Sequence, residues 1–173
     1  MDGRPRSLLI TGIYGTGKST LAAQLADDLE RRGAAYAAID VDWLGWFVGQ
    51  PEADWSSVKL DNLAAVVRNY LAVGVELFVV AWTTRTRAEL DGLRRVLPGP
   101  LRVLRLTAPI EVIEERLARD VAAGRQDDLR VARQDLAARA GEGLEDMRLA
   151  NEGSMAELSL YVLDWLGWRG VSG

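Results

Sequence analysis

The chain has neither cysteine nor histidine among its 173 residues. Without cysteine there is no disulfide, no thiolate nucleophile and no thiolate metal site. Without histidine the usual neutral-pH general base and the commonest transition-metal ligand are both gone. Any acid–base step must therefore fall to Asp, Glu, Lys or Tyr. Long apolar runs are also missing. The longest, Leu77 to Trp82, is far short of the roughly 20 residues that span a bilayer. The first residues, MDGRPRS, lack the apolar core of a signal peptide, so the expectation is a soluble cytoplasmic protein with no membrane partner. A basic excess is absent as well: 21 Lys and Arg face 25 Asp and Glu, for a net charge of −4. Duplex binding needs a basic footprint, so nucleic acid is not expected as a partner. There is no internal repeat, linker or low-complexity tract, and no signal of oligomeric state. At 49% hydrophobic residues, the length suits one domain, 1–173, with a full core.

What is present begins with Gly12-Ile13-Tyr14-Gly15-Thr16-Gly17-Lys18-Ser19, which fits G-x-x-x-x-G-K-[ST] at every required position. Leu8, Leu9 and Ile10 before it read as a buried strand. Leu21, Leu25 and Leu29 after it recur at helical spacing, with Gly33 as a stop. This is the strand–loop–helix context of a phosphate-binding loop. Backbone N–H groups at a helix start have no internal partner, and the helix dipole adds about half a positive charge there. Glycines at 12, 15 and 17 let the chain wrap closely and reach positive φ. Lys18 supplies a point charge for the β- and γ-phosphates, Ser19 a hydroxyl for Mg²⁺, and Thr20 a contact on the α-phosphate side. A nucleoside di- or triphosphate is the expected ligand.

Strand and helix alternate along the rest. Tyr36 to Ile39 reads as a second strand ending at Asp40-Val41-Asp42. Leu63, Val66, Val67, Tyr70 and Leu71 mark one face of a helix, with Gly74 past its end. Val75 to Trp82 is a fully buried third strand. Thr86 and Glu89 form a capping box for a short helix that stops at Pro98-Gly99-Pro100. Leu101 to Leu106 is a fourth strand, and Pro109 opens a helix with Ile110, Ile113, Leu117 and Val121 on one side. The charged segment 120–143 reads as a mobile helical flap rather than core. Met147 to Ala150 is a short last strand, and Ser154 and Glu157 cap a final helix. Such alternation implies an α/β three-layer P-loop fold: a doubly wound parallel sheet of about five strands with helices on both faces. Ligands gather at the carboxyl ends of its strands, where the loop, Asp40, Asp42, Trp82, Thr83 and Asn151 all fall.

No Asn-Lys-x-Asp guanine-reading motif occurs, which argues against a GTPase. Asp42-Trp-Leu-Gly45 fits D-x-x-G only as a loose four-residue pattern. The chain is too small for the added helical domain of a ring-forming motor. With the complete loop, the Asp-Val-Asp pair after strand two and the Arg-rich helix after strand four, the sequence resembles the small P-loop kinases. These include shikimate, gluconate, adenylyl-sulfate and adenylate kinases and, most closely, chloramphenicol phosphotransferase. The resemblance runs nearly the whole chain in order of elements, and its specific part is the loop. It implies an ATP- and Mg²⁺-dependent transfer to a hydroxyl of a small molecule, with the flap at 120–143 as a lid. It implies that Asp42 meets the acceptor hydroxyl and that Asp40 serves the metal shell beside Ser19. Glu115-Arg116-Leu-Ala-Arg119 resembles the segment leading into the lid, so Arg116, Arg119 and Arg125 are candidates to meet the transferring oxygens. One departure is plain: the third strand ends Ala81-Trp82-Thr83, without the acid many of these kinases place there, leaving Thr83 or Thr84 to hold a water.

Trp43, Trp46, Phe47 and Trp55 cluster after Asp42. Aromatic faces grip rings and sugar faces, so they are candidate acceptor-lining residues, with Trp82 beside them. Arg85 and Arg87 are candidates for a charged acceptor. Asn151 is a candidate for the adenine edge. Trp165 and Trp168 are expected to pack against the sheet. Alternatives to a metabolite, sugar or antibiotic-like acceptor are a nucleotide or nucleoside, or a regulator that binds ATP without transferring phosphate.

Overall fold

The computed structural model describes residues 4–46, 54–119 and 127–169. Five strands, β1 (Arg6–Thr11), β2 (Tyr36–Asp40), β3 (Leu77–Ala81), β4 (Leu101–Thr107) and β5 (Met147–Ala150), form one sheet in the order β2-β3-β1-β4-β5. Every neighbouring pair is parallel. The helices are α1 (Lys18–Arg31), α2 (Trp55–Ala72), α3 (Arg87–Val96), α4 (Ile110–Arg119), α5 (Asp128–Ala137) and α6 (Met155–Trp165). This is the expected α/β class and strand number.

Alternation along the strands builds the two faces. Leu77, Val79 and Ala81 join Leu8 and Ile10 under α1 and α6, where Leu21, Leu25, Leu29, Val162 and Leu163 pack. Phe78, Val80 and Trp82 join Leu9 on the opposite face with Leu63 and Val67 of α2 and Leu90 and Leu93 of α3. A strand buried on both sides must be apolar at every position, which is why Leu77–Trp82 shows no polar alternation. Each fully buried Leu, Ile, Val or Phe stabilises the fold by about 1.5–3 kcal/mol.

The chain's own signals end the helices where the sequence places them. Both capping boxes form: Thr86 with Glu89 at α3 and Ser154 with Glu157 at α6. Asp54 caps α2 by accepting from the Ser56 and Ser57 amides. One detail differs from expectation. Tyr70 and Leu71, placed on the apolar face of α2, are each 39% exposed, because the helix outruns the sheet it covers. Trp168 is buried as expected, and Trp165 packs beside it, with the Arg102 guanidinium over its ring.

The order places β1 between β3 and β4, so the loop after β1 emerges where the sheet's winding reverses. Register sets the rim: Asp40 and Ile10 both pair with Ala81, and Thr107 pairs with Ala150. Asp40, the glycine loop, Thr83 and Asn151 therefore share one edge of the sheet.

Candidate nucleotide site

The loop between β1 and α1 is held from several sides. Thr83 Oγ1 donates to the Gly12 carbonyl at 3.0 Å. Thr16 Oγ1 donates to the Ile13 carbonyl at 2.9 Å. Asn151 Nδ2 donates to the Thr16 carbonyl at 2.8 Å. Two glycines are required by space as well as by backbone. At Gly12 (φ 144°) a Cβ would lie 2.3 Å from the Leu106 carbonyl oxygen, and at Gly17 (φ 96°) it would lie 2.6 Å from Asn151 Nδ2. Leu21 N–H is the donor that bonds back to Gly17, so the amides of Lys18, Ser19 and Thr20 precede the helical ladder. The first turn of α1 carries no acid of its own, leaving the positive end of the dipole for an anion.

Lys18 is buried within this ring, and its ammonium donates to the Ile13 carbonyl at 3.1 Å. It also lies 5.4 Å from the centre of the Tyr14 ring. Burial pulls its pKa down to about 8, against the opposing pull of the Asp42 and Asp40 charges. Burial likewise pushes the Tyr14 phenol up, helped by the Asp42 charge and opposed by Arg85. These couplings place Lys18, Tyr14, Asp42 and Arg85 in one electrostatic neighbourhood.

Ser19 Oγ donates to Asp40 Oδ2 at 2.5 Å, and the other Asp40 oxygen accepts the Asp42 amide at 3.0 Å. A hydroxyl and an oriented carboxylate, both hard oxygen donors, suit Mg²⁺, which takes few protein ligands and completes its shell with phosphate and water. The described residues contain no cluster of three acids that would form an all-protein cage. At the end of β3, Thr83 is committed to the loop, while Thr84 Oγ1 is buried without a protein partner.

Asp42 sits just beyond, with Lys59 of α2 donating to its Oδ1 at 2.9 Å. No motif announces Lys59. It lies 17 positions away, and only the packing of α2 beside Gly45 brings it in.

A cavity of about 460 Å³ is lined by Gly15, Gly17, Lys18, Ser19, Thr20, Asp40, Trp43, Arg116, Leu117 and Met155. Arg116 is half-buried there and donates to the carbonyls of Gly15 (3.2 Å) and Thr16 (3.4 Å). It clasps the loop backbone rather than an acid on its own helix. Asn151 is buried beneath the loop, its NH₂ committed to Thr16. Trp43 (64% exposed) and Trp46 (72% exposed) face solvent with ring centres 4.9 Å apart. Trp82, expected to line the acceptor pocket, is 5% exposed and packs in the α2–α3 core, because the alternation of β3 (Leu77–Ala81) carries on for one residue past its end and turns it into that layer. Phe47 and Arg125 lie outside the described residues. For Arg119 only its place as the last residue of α4 is described.

The expectation that 120–143 stands apart from the core as a flap also changes for the described part, 127–143. Ala132 of α5 is fully buried against Ile13 and Ile113. Asp135 takes the Arg85 Nε at 2.8 and 3.0 Å. Arg133 reaches Glu114 at 2.7 Å, and the Gly141 amide bonds the Arg85 carbonyl. A residue as small as alanine at 132 lets α5 approach the phosphate loop itself.

The fold is similar to that of solved small P-loop kinases. The chain matches no known protein-family model. Among solved structures it is similar to an unliganded sugar kinase from a Janibacter species, at 23% identity over 98% of this chain and 99% of that one, with a TM-score of 0.68. It is similar to the tunicamycin resistance protein of Deinococcus radiodurans, at 22% identity over 95% and 96% of the two chains, with a TM-score of 0.64. It is also similar to the APS kinase of Mycobacterium tuberculosis in complex with AMPPNP and APS, at 19% identity over 95% and 98%, with a TM-score of 0.60. Among the described residues no helix is long and apolar enough to cross a membrane.

Proposed function

We propose that the chain is an ATP- and Mg²⁺-dependent kinase that phosphorylates a hydroxyl of a small molecule. The observation that carries the reading is the convergence, on one sheet edge, of a complete phosphate loop, a buried lysine, the Ser19–Asp40 oxygen pair and Asp42. A loop alone would serve any nucleotide-binding protein; the second carboxylate beyond the metal pair is what a transferase adds. The similarity in fold to a sugar kinase and to an APS kinase holding AMPPNP supports the reading.

In this reading the loop amides and Lys18 hold the β- and γ-phosphates. Bound Mg²⁺ would neutralise charge on the phosphate oxygens and would be held by Ser19 and Asp40. The acceptor oxygen attacks the γ-phosphorus, the bond from that phosphorus to the β–γ bridging oxygen breaks, and ADP leaves with the bridging oxygen. The acceptor proton passes to the Asp42 carboxylate. Lys59, bonded to one Asp42 oxygen, fixes the carboxylate's orientation and leaves the second oxygen for the hydroxyl. Arg116 forms a wall of the nucleotide cavity and steadies the loop. Asn151 supports that loop from below. Trp43 and Trp46 offer aromatic faces at the mouth. Arg119 at the end of α4 and Arg125 beyond it are the proposed residues to reach the transferring oxygens.

The test is acceptor-stimulated ADP release across hydroxyl metabolites, sugars, nucleosides and antibiotics. Asp42→Asn should lower the stimulated rate by about 10²–10⁴ while leaving ATP affinity nearly intact, as expected for loss of a general base. ATP binding with no stimulation by any hydroxyl compound would instead favour a nucleotide-binding regulator, a reading kept alive by the missing acid after β3.

A further inference from the structure

The charges around Tyr14 and Asp42 bear on what the acceptor can be, a question that rests on the kinase reading above. Two cations border this side of the loop among the described residues, Lys59 and Arg85, and each is already held by a carboxylate. Lys59 Nζ lies 2.9 Å from Asp42 Oδ1, in a pair whose side chains are 20% and 34% exposed. Arg85 Nε lies 2.8 and 3.0 Å from the two oxygens of Asp135, whose side chain is 10% exposed. The two pairs cancel. Lys18 belongs to the nucleotide phosphates. Arg116 is turned to loop carbonyls on the nucleotide side. Arg87 is exposed at the start of α3.

An anionic acceptor adds a second negative group beside the γ-phosphate. Like charges so close repel strongly in a partly desolvated site, so such a kinase needs an uncommitted cation there. Among the described residues, Lys59 and Arg85 could meet a carboxylate, sulfate or phosphate on the acceptor only by giving up Asp42 or Asp135, leaving that acid uncompensated. We propose that the acceptor is a hydroxyl compound without an anionic group, either uncharged or amine-bearing, and that Asp135 is the residue that withholds Arg85 from anions. Asp135 acts at a distance from the reacting atoms and so determines specificity without being catalytic.

Two arms test this. In the first, wild-type protein saturated with a non-hydrolysable ATP analogue and Mg²⁺ is titrated with sulfate by calorimetry. No saturable binding is expected below about 10 mM, and folded Asp135→Asn should bind sulfate at least about tenfold more tightly than wild type. Millimolar or tighter binding by wild type that disappears in Arg85→Gln would overturn the proposal. So would a folded Asp135→Asn that gains nothing. Should Asp135→Asn not fold, the wild-type and Arg85→Gln titrations decide. In the second arm, ADP release is measured with polyols presented on one skeleton as alcohol, amine and carboxylate (glucitol, 1-amino-1-deoxyglucitol, gluconate), and with nucleosides against their monophosphates. Stimulation confined to the non-anionic members supports the proposal; a best acceptor carrying an anion refutes it. Absence of stimulation by every compound would fail the kinase reading, while the sulfate arm still decides the charge character of the site.

Discussion

Lys18 should make nucleotide affinity and protein stability move in opposite directions as pH rises. Its ammonium is buried and its pKa stands at about 8 in the ligand-free protein. Phosphate oxygens bind the charged form, so affinity for a non-hydrolysable ATP analogue should be level with respect to this group below pH 8. It should fall towards about tenfold per unit above that, or about 50-fold (~2.3 kcal/mol) between pH 8 and 10. Bound phosphate restores the proton: uptake on binding should be about half a proton at pH 8 and about 0.9 at pH 9. Stability has the other sign. The folded pKa lies below the ordinary lysine value of 10.5, so between about 8 and 10.5 the unfolded chain holds more protons than the folded one. Ligand-free stability from this group therefore rises through that window, by about 3 kcal/mol in all, and is lowest below pH 8. Calorimetric titration in two buffers of different ionisation enthalpy reads the proton uptake, and chemical denaturation at pH 7.5, 8.5 and 9.5 reads the stability. A level affinity across that range with no proton uptake would refute the placement of Lys18 as the phosphate-binding cation. A stability slope unchanged in Lys18→Met would refute the buried-lysine account.

Ser19→Ala should remove one of the two oxygens offered to the metal, so the tightening of ADP binding by Mg²⁺ should shrink to near nothing; an unchanged ratio of affinities with and without Mg²⁺ would count against the Ser19–Asp40 site. Asn151→Ala leaves the buried Thr16 carbonyl with only the longer Arg116 bond of 3.4 Å and should cost about 1 kcal/mol. That appears as a melting temperature lower by several degrees in a domain of this size, and a change under one degree would show that the loop does not lean on it. Arg85→Gln removes the largely buried pair with Asp135 and should speed limited proteolysis within 127–143 while leaving the sheet intact. Equal cleavage of variant and wild type would show that α5 is held by Ala132 packing alone.

How legible each part was depends on whether its cause is local. Local hydrogen bonds and side-chain period write the capping boxes at Thr86 and Ser154, the two-faced burial of Leu77–Trp82 and the phosphate loop into a few consecutive residues. Strand–helix alternation then confines the loop, Asp40 and Asn151 to one edge of a parallel sheet. The sequence by itself therefore determined the class of fold and the place of the phosphate-loop motif within it. Tertiary structure decided which groups around that site remain free. Trp82 turned into the core because strand register, not composition, sets which layer a side chain enters. Arg116 and Asn151 turned to loop carbonyls because those carbonyls lie in a closed ring that needs donors. Lys59 met Asp42, and Asp135 met Arg85, across 17 and 50 positions of chain. Such ion pairs follow from how helices dock on the sheet, and no local pattern encodes a contact made only when two distant segments are brought within 3 Å of each other.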